Sequence, residues 1–167
     1  MTSLTDTDWG PQESRTVSWH DPAKPAEVGL AMPGIDYLRA MVAGDMPPPP
    51  IAQLLQFDLV EADPGRVVFT CTPDASAYNP IGAVHGGLVC TLLDSVAGCA
   101  LHSTLPAGKG YTSVEIKVNY LKAVRLASGT LTAKPIPPTR PRGASRREAC
   151  SASASPRSWV RRHPGRG

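Results

Sequence analysis

Between Tyr111 and Leu121 (YTSVEIKVNYL) apolar and polar residues alternate, with Val114, Ile116, Val118 and Tyr120 on one face and Ser113, Glu115, Lys117 and Asn119 on the other. A period of two belongs to a strand with one buried face, so a half-buried strand is predicted there. Two further stretches, LLQFDLVEA and RVVFTCT, flank the turn signal Asp63-Pro64-Gly65 and together predict an antiparallel hairpin. LVCTLLDSVAGCALHST has a different texture: it is apolar nearly all the way round and about five helical turns long. It predicts a helix enclosed by other structure. SAYNPIGAVHGG and LPAGKG, on either side of it, read as loops. A last strand is expected to begin within Ser128 to Ala133, where the periodicity stops.

The two ends lack this order. Residues 1 to about 30 are polar and proline-punctuated and are expected to form an extended arm. Ile35 to Ala43 predicts a short helix with Tyr37, Leu38, Met41 and Val42 as its apolar face, and Pro47 to Pro50 predicts a stiff polyproline spacer that excludes helix. With 167 residues and 41% hydrophobic content the chain has room for one modest core. Of 18 prolines only Pro64, Pro73, Pro80 and Pro106 fall between residues 51 and 133, so the foldable part is about half the chain. The expected organisation is a proline-rich arm with a short helix over 1–50, an α+β domain over 51–133, and a tail over 134–167 expected to be disordered.

Charge divides the same way. Residues 1–133 carry eight Lys or Arg against thirteen Asp or Glu, whereas residues 134–167 carry nine against one, so the overall +3 averages two unlike pieces. The basicity therefore says nothing about the central domain, and the tail lacks aromatics apart from Trp159, which argues against a nucleic-acid partner. The opening MTSLTDTDWG has neither a basic n-region nor an apolar h-region, and no run approaches the ~20 apolar residues that span a bilayer, so a soluble, cytoplasmic protein without membrane contact is expected. Cys71, Cys90, Cys99 and Cys150 form no CxxC pair and have no His at ligand spacing, so reduced thiols are expected, with no metal and no cofactor.

The chemistry gathers around the apolar helix. Asp94 is a lone carboxylate among Leu, Val, Ala, Gly and Cys, and burying an ionised carboxylate without partners is costly. It is therefore a candidate general base, the alternative being a solvated carboxylate on a rim. His85-Gly86-Gly87 stands at the helix start, where first-turn amides lack acceptors and the helix dipole favours negative charge. Glycine there admits a ligand close to the backbone, and the motif suggests an oxyanion hole. Asn79 adds a side-chain donor or serves as a turn residue. Gly86 and Asp94 are eight residues apart, on the order of 12 Å along one helix. They cannot serve one carbonyl within a single chain; if both are catalytic, two copies must share each site.

These residues resemble the hotdog superfamily, specifically the acyl-CoA thioesterases of the type found in phenylacetic acid degradation. The resemblance covers roughly Gly34 to Ser128, and its most specific stretches are NPIGAVHGGLVCTLLDSVAGCA and YTSVEIKVNYL. It implies an antiparallel sheet wrapped around a long central helix, with two subunits joined into a dimer or a dimer of dimers and the sites at their interface. It further implies acyl-CoA as substrate. Asp94 would activate water or attack the thioester, the Gly86 amide would polarise the carbonyl with Asn79 assisting, and Ser113 or its neighbour Thr112 would orient the water. His85 would brace the loop, Gly87 would line the substrate path, and Lys122 would lie near the CoA phosphates, although Ala123 replaces the proline that often follows. Two rivals stand beside this reading: a hotdog dehydratase or hydratase pairing His with a carboxylate, and a non-catalytic acyl-CoA-binding protein. A Cys90 nucleophile is disfavoured, because no Cys–His contact is assured.

The resemblance also implies two long strands after YTSVEIKVNYL, of which the sequence shows at most the start of one. The arginine, proline and serine that follow have the composition of a shifted GC-rich reading frame, and the expectation is a frameshifted end. Re-reading the nucleotides in the other frames should then yield two alternating apolar strands. Without them a domain stable by only ~5 to 15 kcal/mol loses part of its cover, and a poorly folded or inactive chain is the consequence expected.

Overall fold

The computed structural model describes residues 7–136. The frameshifted, disordered tail expected from the sequence lies outside the described residues, apart from 134–136.

The elements, in chain order, are helices α1 (Ala23–Ala31), α2 (Gly34–Ala43) and α3 (Pro50–Leu55), strands β1 (Phe57–Asp63) and β2 (Arg66–Cys71), helix α4 (Gly86–His102), and strand β3 (Leu131–Ala133). The predicted hairpin is present: β1 and β2 pair antiparallel from Phe57 opposite Cys71 to Asp63 opposite Arg66. Gly65 closes the turn with a φ of +75°, a conformation that residues with a Cβ rarely adopt. A bulge between Leu59 and Glu61 interrupts the ladder. β3 pairs antiparallel with the other edge of β2, placing Ala133 opposite Phe69, so the strand order is β1-β2-β3.

α4 supplies the other half of the core. Leu88, Val89, Leu92, Leu93 and Val96 are buried against Val67, Phe69 and Cys71 of β2 and Ala133 of β3, with Leu38 of α2 and Phe57 of β1 in the same cluster. Phe57 and Phe69 meet edge to face with centroids 5.8 Å apart, a favoured aromatic arrangement. The expected enclosure of α4 is thus met on the side facing the sheet, while Cys90, Thr91, Asp94 and Ser95 are half-buried. The expected helix at Ile35 to Ala43 is α2; of its predicted apolar face Leu38 is fully buried and Val42 is exposed.

Four expectations need correction. The arm is not extended throughout, because α1 forms over Ala23–Ala31. Pro25 lies in its first turn, where a missing N–H costs nothing, and the Asp21 carboxylate accepts from the Ala23 amide at 2.8 Å. Pro50 does not exclude helix but opens α3, its fixed φ suiting the first helical position. The stretch LLQFDLVEA is divided, with Leu54 and Leu55 in α3 and the strand starting at Phe57 after Gln56 takes a left-handed φ of 56°.

The fourth correction concerns residues 111–121, which are not in a ladder. A strand needs a neighbour for its N–H and C=O groups, and among the described residues the sheet ends at β3. The face expected to be buried is largely open: Val114 is 58% exposed and Tyr120 55%, while Val118 packs against the core. Instead the segment meets α4 through individual side chains, Tyr111 against Gly98 and His102, and Ser113 on Asp94.

Candidate active site

The loop before α4 is held by its own polar groups. The Asn79 amide donates to the Ala83 carbonyl at 2.8 Å, and the Asn79 Oδ1 accepts from the Ile81 and Ala83 amides, each at 3.1 Å. Asn79 is therefore a turn-forming residue, and with its oxygen engaged the side chain's NH2 is the part left to donate elsewhere. Tyr78 and Val84 form an isolated antiparallel bridge across the loop. The His85 amide donates to the Ala77 carbonyl at 2.8 Å.

His85 caps α4: its Nδ1 accepts from the Gly87 amide at 2.8 Å. That bond requires an unprotonated Nδ1 and consumes the Gly87 donor. Among the described residues no acceptor takes the Gly86 N–H, which leaves it as an open donor at the positive end of the helix. Tyr120 reaches the same point, donating from its hydroxyl to the Gly86 carbonyl at 2.9 Å. A Cβ on Gly86 would stand 3.2 Å from that ring, so glycine suits this close approach. Gly86, Asn79, Tyr120 and Lys122 line one cavity of about 340 Å³.

Asp94 opens into a different cavity. It lines a space of about 490 Å³ with Gly87, Thr91, Ser113 and Glu115. The Ser113 hydroxyl donates to Asp94 Oδ1 at 2.6 Å, a charge-assisted bond to a half-buried carboxylate. Both hydroxyl candidates, Thr112 and Ser113, are exposed, and of the two it is Ser113 that contacts the carboxylate. Gly86 and Asp94 thus stand at separate cavities, and His85 and Asp94 share no hydrogen bond among the described residues. A third space of about 860 Å³ lies away from both, between Trp19 of the arm, the proline loop and β1.

Behind Asp94 lies a layer that sequence reasoning missed. Burial pushes the Cys99 thiol up to about 11; the Tyr111 hydroxyl opposes that shift and the Asp94 charge adds to it. Burial likewise raises Tyr111 and lowers His102, whose Nδ1 is buried without a hydrogen-bond partner among the described residues. Tyr111 and Tyr120 both lie on the segment read as a strand. The sequence signal for them is a tyrosine at each end of an otherwise aliphatic and polar alternation, since a buried or half-buried phenol generally seeks a polar partner.

Residues 81–136 match the family model described as the thioesterase superfamily. Human acyl-coenzyme A thioesterase 13 is 35% identical over 68 residues, which are 41% of this chain and 48% of that protein. The chain thus spans about half the length of the curated relatives it matches. A thioesterase family protein from Silicibacter pomeroyi has a similar structure, with a TM-score of 0.52, 26% identity, and coverage of 58% of this chain and 70% of that one. A phenylacetic acid degradation-related protein from Ralstonia eutropha shares the fold at a TM-score of 0.54 and 24% identity, over 64% of this chain and 80% of that one. Residues 81–136 are thus similar to the thioesterase superfamily, and the antiparallel sheet packed on α4 has the hotdog fold.

Proposed function

We propose that the protein is an acyl-CoA thioesterase acting as a homodimer, in which Asp94 of one copy and the Gly86 amide of the other share each site. The observation that carries this reading is the assignment of the two groups to different cavities, each with its own supporting hydrogen bonds. Among the described residues, one chain brings Asp94 together with the Ser113 hydroxyl but not with the Gly86 amide. It also offers an open amide beside Lys122 with no carboxylate. Apposition of two copies completes both sets.

In this mechanism Asp94 takes a proton from water as the water oxygen attacks the thioester carbonyl. Ser113 holds the carboxylate in place. Charge developing on the carbonyl oxygen is met by the Gly86 N–H, with the Asn79 NH2 group as second donor. The tetrahedral intermediate collapses, the C–S bond breaks, and the sulfur leaves with the proton returned from Asp94, releasing a carboxylic acid and free CoA. Lys122, on the Gly86 cavity, suits the CoA phosphates as a point charge. The dehydratase or hydratase alternative is disfavoured because His85 spends its Nδ1 on the Gly87 amide. Among the described residues no helix is long and apolar enough to cross a membrane.

The test is release of CoA thiol from a panel of aryl- and alkyl-CoA thioesters, comparing the chain with Asp94→Asn. A loss of ~10² or more with retained ligand binding is expected. Equal hydrolysis by both would overturn the mechanism, and binding without turnover in the parent chain would favour an acyl-CoA-binding role.

A further inference from the structure

We infer that Arg15, on the N-terminal arm, is a positioning residue for the loop that carries Asn79 and His85; its link to turnover rests on the function proposed above. Arg15 lies 59 residues before its partner, Asp74, and the two join the arm to the start of that loop. The Arg15 Nη1 donates to Asp74 Oδ2 at 3.0 Å, and Nη2 donates to the Leu54 carbonyl at 2.9 Å at the end of α3. Gln56 Nε2 donates to the same carboxylate oxygen at 2.8 Å. Three chain segments thus meet on one carboxylate.

The other oxygen of Asp74 faces forward along the chain. Oδ1 accepts from the Ser76 amide at 2.9 Å and from the Ser76 hydroxyl, starting the turn over Ala75–Ala77. The Ala77 carbonyl at the end of that turn receives the His85 amide at 2.8 Å, and His85 in turn caps α4. Hydrogen bonds, with the chain itself joining Ser76 to Ala77, therefore connect the Arg15 guanidinium through Asp74 and the turn to the residue beside Gly86. Hydrogen bonds from Ser76 and Gln56 and the charge of Arg15 hold the Asp74 carboxyl below the usual range.

An isolated exposed ion pair contributes little. The guanidinium here differs in geometry, because its planar fork spans a carboxylate and a backbone carbonyl at once, which a lysine ammonium on a flexible stem does not reproduce. Arg15 fixes where the loop begins relative to α3 and β1. The far part of the loop is tied separately, by the Val84 amide on the Val124 carbonyl at 2.9 Å, Arg125 on the Gly82 carbonyl at 2.9 Å and the Leu126 amide on the Tyr78 hydroxyl at 3.1 Å, so Arg15 acts on the near end, around Asp74 to Ala77.

The experiment uses the full chain with Arg15→Ala and Arg15→Lys, read by amide hydrogen exchange and by phenylacetyl-CoA and hexanoyl-CoA hydrolysis. In Arg15→Ala the Ser76 and His85 amides should exchange about tenfold faster while Leu92 to Val96 inside α4 keep their protection. kcat should fall about tenfold, with KM within about twofold, as expected when a catalytic donor is misplaced. Arg15→Lys should lie between the two. Unchanged exchange at Ser76 and His85 overturns the proposal; so does equal loosening of the α4 interior, which would make Arg15 a general stabiliser. If the parent chain hydrolyses neither thioester, the proposed function fails, and the exchange data still decide whether Arg15 holds the loop.

Discussion

The Ser113 hydroxyl donates a 2.6 Å hydrogen bond to the carboxylate of Asp94, joining the centre of α4 to a segment 19 residues further along the chain. Ser113→Ala should lower kcat for thioester hydrolysis about tenfold, within the range of a lost hydrogen bond to a charged group, and leave the fold intact. Steady-state CoA release with a circular dichroism control checks it. Wild-type turnover in this variant would remove Ser113 from the mechanism.

The bond from the Gly87 amide to His85 Nδ1 caps α4 at its start. His85→Ala should cost about 1 kcal/mol of stability and His85→Asn much less, since asparagine is a good N-cap. Urea unfolding of the three proteins measures the difference; equal midpoints would show that the cap carries no stability.

Gly34 opens α2 against the end of α4. A Cβ there would lie within the van der Waals envelope of the His102 carbonyl oxygen, a backbone atom that cannot swing aside. Gly34→Ala should destabilise by about 3 kcal/mol or more. Gly44→Ala meets open space, and its cost should come from the left-handed φ of 85° alone, about 1 to 2 kcal/mol. Thermal unfolding should rank Gly34→Ala well below Gly44→Ala.

Stability should be highest between about pH 6.5 and pH 9. Cys99 is raised from 9.0 to about 11 on folding, so the native state holds its proton more tightly than the unfolded chain. Its contribution is complete below 9.0 and is lost as pH rises toward 11. Burial lowers His102 from 6.5, so protonation favours the unfolded chain as pH falls below that value. Asp74, lowered from 3.8, adds a second loss at lower pH. Thermal melts from pH 4 to pH 10.5 test this, and Cys99→Ala should flatten the alkaline side. An unaltered alkaline slope in that variant would show that Cys99 is not its source.

The hairpin and the helix were legible in the sequence, and the candidate site residues were named from it, because each rests on a local signal. Asp63-Pro64-Gly65 needs only one left-handed glycine to reverse the chain, and a 17-residue apolar stretch after a capping His forms α4. The same local reading placed Asp94 eight residues beyond Gly86, which was enough to predict that one chain cannot bring them to one carbonyl. Periodicity misled at residues 111–121: alternation states that a segment fits a sheet, not that a neighbour is present to receive its hydrogen bonds.

The sequence by itself therefore determined the hairpin, the apolar helix, the order of the candidate site residues and the family resemblance. Tertiary structure decided that side chains from both faces of the 111–121 segment meet α4, that Ser113 and not Thr112 contacts Asp94, that Tyr120 covers Gly86, and that Arg15 joins the loop start. The physical reason is range. Turns, caps and helix faces follow from residues a few positions apart, whereas contacts across 19, 34 or 59 residues depend on where whole elements pack.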